Sequence, residues 1–135
     1  MSQTRNSVHA SFQASGTIPA YTCVGPATTT TANLVSVWAT ATSQFIGISA
    51  DLFEPTVGAD IIIGGTAKGL LAASVAVWRP VTAQTATGQL IEDTDTAATV
   101  TTLFIPFQVG LALGGGSVGS VIEVLIRPIN FRFDF

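Results

Sequence analysis

Three features of the sequence predict an all-β chain folded as a compact β-barrel or sandwich. Short apolar runs rich in Thr, Val, Ala, Gly and Ile recur between Gly, Pro, Asp and Thr punctuation, and helix formers are sparse. A block starting at Phe45, "FIGISADLFEPTVGADIIIGG", is echoed from Phe107 by "FQVGLALGGGSVGSVIEVLIRP". Both ends of the chain alternate apolar and polar residues with the period of two that gives a strand one apolar face. Two copies of a strand-turn-strand unit that close on themselves leave few sheet edges open.

The elements follow in order. Residues 1–15 form an extended N-terminal arm: "MSQTRNS" is polar, and "VHASFQA" sets Val8, Ala10, Phe12 and Ala14 against His9, Ser11 and Gln13. Such an arm either pairs within its own barrel or reaches another chain by strand addition. Residues 16–135 form the β-domain, with repeats at about 16–68 and 69–128. Strands are expected near 21–24, 34–38, 44–50, 60–63, 74–78, 89–92, 100–104, 107–113, 120–126 and 129–135. Residues 70–74 are the one plausible helix. "TIPAYTCVGPA" and "LLAASVAVWRPV" occupy matching places ahead of the two blocks, and "VSVW" and "VAVW" make Trp38 and Trp78 matching packing residues. Pro128 separates the last two segments.

The last segment, "INFRFDF", puts Ile129, Phe131, Phe133 and Phe135 on one face. Leaving those side chains in water forgoes roughly 1.5–3 kcal/mol each. Either the chain's own core or a neighbouring subunit must cover them. Closure of the barrel is expected for Ile129 and Phe131, and an interface for Phe133 and Phe135.

Composition narrows the function. Only 10% of residues are charged, against about 25% in an average domain. A small domain with so little charge is expected to meet protein over much of its surface. The net charge is −3, and Lys68 and the arginines at 5, 79, 127 and 132 are scattered, which is no footprint for nucleic acid or anionic lipid. The start has no apolar segment of a secretory signal and Cys23 stands alone, so synthesis in a reducing cytoplasm is expected. No apolar run is long enough for a membrane-spanning helix, and the aromatic girdles of an outer-membrane barrel are lacking.

Catalytic groups are few. His9 is the only histidine, and neither it nor Cys23 sits beside a partner nucleophile or base. "GGGSVG" at 114–119 fits the dinucleotide fingerprint in letters, but a strand pattern follows where that motif needs a helix, so it reads as a hairpin loop. "GGTAKG" lacks the lysine and hydroxyl positions of a phosphate loop. The carboxylates of "EDTD" at 92–95 read as a solvated loop rather than a cation site. Asp51, Glu54 and Asp60 flank a turn without the aromatic surroundings of a glycosidase. No catalytic residue, cofactor or metal is expected, and the chain is not expected to be an enzyme.

Ile46-Gly47-Ile48, Gly58, the strand from Asp60 to Ile63 and its "GG", followed by Val109-Gly110-Leu111, Gly119 and "VIEVLIRP", resemble the head decoration, or capsid cement, proteins of tailed bacteriophages over about residues 16–128. The resemblance implies a compact β-barrel, commonly a homotrimer. Such a protein binds the outer surface of an assembled capsid at local threefold positions and bridges major capsid protein subunits. It also implies a virion location, and it carries over no catalytic residue. The section from Thr82 to Thr102 and the phenylalanine-rich ending depart from the pattern. The partner interface is expected at Arg5, Val8, His9, Phe12, Phe131, Phe133 and Phe135, with no part for nucleic acid or membrane. Deleting residues 1–14 is expected to spare folding and weaken attachment. The alternatives are a carbohydrate-binding β module using Trp38 and Trp78, and another phage or tail assembly subunit.

Overall fold

The computed structural model describes residues 7–28, 31–38, 45–84, 87–93 and 108–129, and among them every regular element is a strand. The strands are β1 (Ser7–Ala14), β2 (Cys23–Pro26), β3 (Leu34–Val37), β4 (Gly47–Ser49), β5 (Gly58–Leu70), β6 (Pro80–Ala83), β7 (Leu90–Glu92), β8 (Gln108–Ala112) and β9 (Val121–Ile129). They lie in one nine-stranded sheet in the order β1-β3-β2-β4-β5-β9-β8-β6-β7, and β1 pairs also with β5. That extra pairing joins β1, β3, β2, β4 and β5 into a ring, in which only β1 and β3 run parallel. The expected all-β class holds, as one sheet partly wound into a ring.

The second half repeats the first, pairing for pairing. The C-terminal half of β5 takes the role of β1: it pairs antiparallel with β9, as β1 does with β5. The parallel bridge from Leu71 to Leu90 stands where β1 meets β3. β6 pairs with β7 and β8, as β2 pairs with β3 and β4, and β8 pairs with β9 as β4 does with β5. The loop bridge Ile18–Phe53 recurs as Val75–Gly116. The amides of Tyr21 and Trp78 donate to Ser49 and Ala112, and those of Thr56 and Gly119 donate to Ala14 and Leu71. Left-handed φ angles recur at the same places: Tyr21 with Trp78, Asn33 with Gly88, and Thr56 with Gly119.

β5 is the hinge of this duplication. Its first half closes unit 1 and its second half opens unit 2, so the boundary between the units falls inside one strand. Sequence punctuation ended this strand at Ile63, because Gly64-Gly65 reads as a turn. Gly65 instead takes φ 78° and the chain runs on, pairing with Ser7 on one side and Ile126 on the other. A glycine in a strand interior permits this redirection at little steric cost.

Three other expectations change. No helix forms at 70–74, where β5 ends and Leu71 bridges to Leu90. No strand forms at 74–78: Val75 makes a single bridge, Trp78 turns left-handed at φ 66°, and β6 begins at Pro80. The two tryptophans are not equivalent, because Trp78 matches Tyr21, while Trp38 matches Asp93, each donating its amide back to the start of the adjoining strand. β9 runs through Pro128 to Ile129, beside a register shift in its pairing with β8. The strand expected at 100–104, and the one at 129–135 beyond Ile129, lie outside the described residues.

Two buried clusters follow from the rings. Ala14, Ile18, Val24, Val35, Ala59 and Ile61 fill unit 1. Their counterparts Leu71, Val75, Val81, Leu90, Ile122 and Val124 fill unit 2, and Cys23, Trp38, Phe45 and Ile48 of unit 1 join that second cluster. Strand alternation makes this possible, with Val24 facing the first cluster and Cys23 the second. Each Val, Leu or Ile fully buried this way stabilises by roughly 1.5–3 kcal/mol.

Gly47 lies flat on β5, where an added methyl group would drive into the Ile62 carbonyl. Gly47→Ala is expected to lower unfolding free energy by about 1–3 kcal/mol, whereas Gly58→Ala, with open space around it, stays within about 0.5 kcal/mol; urea denaturation measures both. Cys23 is buried in the seam between the units, and burial pushes its thiol far above the ordinary range. The unfolded thiol releases its proton above about pH 8.5 and the folded one does not, so this contribution is complete below that pH and falls by about 1.4 kcal/mol per pH unit above it. Thiol reagents are expected to leave the native protein unlabelled at pH 8 and to label it in denaturant, and Cys23→Ala should flatten the alkaline decline.

Candidate partner interface

β1 carries the described part of the expected interface. Its alternation turns Ala14 fully inward and packs Phe12 against the unit 1 cluster. Val8 shares their parity in sequence, yet it is 56% exposed. It stands opposite Gly64, which has no side chain to cover it. Pairing runs along β5 from Ser7 to Gln13, and β3 joins at Gln13 and Ala14. The arm is therefore a stave of the ring, and its removal would open unit 1, so deletion of residues 1–14 is no longer expected to spare folding. Arg5, Phe131, Phe133 and Phe135 lie outside the described residues.

His9 faces outward and donates from Nδ1 to the Asp60 carboxylate, 2.9 Å from either oxygen, while Nε2 lies 3.1 Å from the Ser7 hydroxyl. A carboxylate only accepts, so Nδ1 carries the proton. Both side chains are close to half exposed, and an exposed pair of this kind contributes about 0–1 kcal/mol. Asp60 was legible only as a member of a carboxylate group; the register that brings it diagonally across from His9 is not written locally in the chain.

The other candidates are dispersed. Asp51 caps the Leu52 amide at 2.8 Å, and Glu54 accepts from the Thr17 hydroxyl at 3.3 Å. Glu92 holds Arg79 Nε at 2.8 Å, and Asp93 is buried. Cys23 is fully buried as a small apolar group. Residues 114–119 form the loop from β8 into β9, a strand, with no helix start to hold a phosphate. Among the described residues no three metal-ligating side chains converge. A cleft of about 290 Å³ lies along the seam, lined by Tyr21, Ala50 and Ile62 of unit 1 and by Thr66, Lys68 and Glu123 of unit 2. Lys68 and Glu123 sit directly opposite each other on β5 and β9, so these two charges in the cleft lining compensate.

The surface also presents apolar groups, of which the sequence had singled out only Trp78. Leu52 and Val57 project from the loops at the end of unit 1, and Val77, Trp78, Val118 and Val121 project from the matching loops and strand start of unit 2. Trp78 is 65% exposed, while Trp38 is 2% exposed. The signal was available in part: both Val118 and Val77-Trp78 sit in turn-rich surroundings, yet "VAVW" imitates a buried strand.

No family model matches the chain, and no curated protein matches it in sequence. Among solved structures, the N base of the head fiber protein gp8.5 of bacteriophage phi29 shares the fold, with a TM-score of 0.61 over 93% of this chain and 100% of that chain. The two are 11% identical in sequence, so the likeness is one of fold.

Proposed function

We propose that this chain is a non-catalytic structural protein of a phage head, attached as a homotrimer to the outer surface of the assembled shell, where it bridges major capsid protein subunits. The fold it shares with the base of a head fiber protein is the observation that carries the reading. The low charge and the dispersed chemistry of its described side chains agree with it. The protein is made in the host cytoplasm and joins the shell after assembly. Stabilisation then follows from mass action, since a ligand that binds only the assembled shell adds RT ln(1 + [L]/Kd) at every site, about 2.7 kcal/mol at a hundredfold excess over Kd. Because many equivalent sites act on one shell, modest contacts suffice.

A second reading, a carbohydrate-binding module, draws on Trp78 alone, since sugar rings stack on exposed aromatic faces. The two are separated by mixing purified protein with empty heads of the virus whose genome carries the chain, sedimenting, and imaging the pellet. Saturable density on the outer surface, with a raised temperature of head disruption, is expected. Protein that stays in the supernatant at every concentration, while its tryptophan emission saturates with added glycans, would overturn the head reading.

A further inference from the structure

In its first half β5 is flanked by β1 and β4, but along its second half one side stands open. The Leu71 amide donates to Ser120 at 2.9 Å, and the Leu70 amide points the opposite way, donating to the Tyr21 carbonyl at 3.0 Å. Backbone groups alternate along a strand, so Ala67 and Gly69 bond to β9, while Thr66 and Lys68 point away from it with Leu70. Among the described residues no strand pairs with Thr66 or Lys68 on that side. The gap has defined ends. Tyr21 closes it at Leu70, and β1 closes it through Val8 and Ser7, opposite Gly64 and Gly65. The seam cleft lies there, with Ser7, Tyr21, Thr66, Ala67 and Lys68 in its lining.

We infer that residues 1–6 of the same chain continue β1 along this open side of β5 and fill the gap between Gly65 and Leu70. Direction and register agree. β1 is antiparallel to β5 and begins at Ser7 opposite Gly65, so the chain ahead of Ser7 is aimed along Thr66 and Lys68. The Ala14 amide donates to Val57 at 3.1 Å, which makes the even-numbered residues of β1 the ones whose backbone groups face β5. At the register shift between Val8 and His9, β5 carries Ile63 as an extra residue, and beyond it the even-numbered residues of β5 face β1. Val8 stands opposite Gly64. Counted on in that register, Asn6 falls opposite Thr66 and Thr4 opposite Lys68, so facing donors and acceptors meet.

Length and composition agree as well. The five residues from Gly65 to Leu70 cover about 17 Å of strand, and six extended residues span about 20 Å. "MSQTRN" is polar, as suits the outermost strand of a sheet, and its one charged side chain, Arg5, is brought to a cleft whose lining includes Glu123. With the segment in place, β1 bonds to both halves of β5 and spans the seam as β5 itself does. Arg5 then serves a contact within the chain. An edge that could accept a strand from another protein is covered, and such a strand enters only by displacing residues 1–6.

The inference does not depend on head attachment and is tested on the isolated protein, so the two readings fail independently. In the full chain, amide exchange followed by nuclear magnetic resonance is expected to be slow at Thr66 and Lys68 as well as at Ala67 and Gly69. Removing residues 1–6, which leaves all of β1, should speed Thr66 and Lys68 by about tenfold or more, while Ala67 and Gly69, held by β9, stay slow. Asn6→Pro deletes an amide directed at β5 and should act like the truncation, whereas Arg5→Pro deletes one directed away from it and should not. Thr66 and Lys68 amides that exchange freely in the full chain overturn the proposal, as does protection that survives both the truncation and Asn6→Pro. Protection that is lost on dilution assigns the added strand to a second copy and overturns it equally.

Discussion

The continuity of β5 is the constraint on which the rest of the molecule depends. One strand of 13 residues must hydrogen-bond as the last member of one ring and then as the first member of the next. A strand has only two edges, so the change of partners has to occur where the chain itself changes direction. Gly65 supplies that point with a left-handed φ of 78°. Because the strand never breaks, the two units are held in a fixed relation by backbone bonds rather than by a linker. Cys23, Trp38, Phe45 and Ile48 can then pack from one unit into the core of the other.

The class of fold and the duplication were legible in the chain because both rest on local pattern. Alternation marks β1, β3, β7, β8 and β9 within a few residues, and the Ile46-Gly47-Ile48 and Val109-Gly110-Leu111 segments do occupy equivalent places. What misled was punctuation whose meaning depends on distant partners. Gly64-Gly65 has the composition of a turn and serves as a change of ring. Val75 and Trp78 have the composition of a strand, yet Trp78 takes a conformation that costs a non-glycine residue about 1–2 kcal/mol. Tyr21 takes it at the matching place, so ring geometry imposes it in both units. At the candidate interface the strand character of β1 was readable, but neither the exposure of Val8 nor the partnership of His9 with Asp60 was, since both follow from register with β5.

Divergence between the copies is concentrated where it separates a buried seam from an open end. In unit 1, Ser49 and Thr22 both donate to the Pro19 carbonyl, at 2.6 and 2.8 Å, and the Thr22 amide donates to Ser49 Oγ at 3.1 Å. This knot ties the loop that delivers Tyr21 and Cys23 to unit 2. The counterpart of Ser49 is Ala112 and that of Thr22 is the exposed Arg79, so unit 2 has no such knot. A loop that must enter another core needs its polar groups satisfied internally, because any left unpaired there cost about 1–3 kcal/mol each. A loop that faces outward has water available and needs no knot.

Ring closure also limits how the protein can meet another. Strand addition requires an open row of backbone donors and acceptors. β1 spends one edge on β5 from Ser7 to Gln13 and the end of the other on β3. β7 is held by β6, and Leu90, its first residue, is held on its far side by Leu71. Among the described strands, the second edge of β1 from Ser7 to Phe12 carries no strand pairing and is open to extension. Elsewhere the exposed apolar surface consists of side chains on loop ends and strand starts, including Val77, Trp78, Val118 and Val121 of unit 2. Side-chain docking on a preformed sheet loses little conformational freedom on binding.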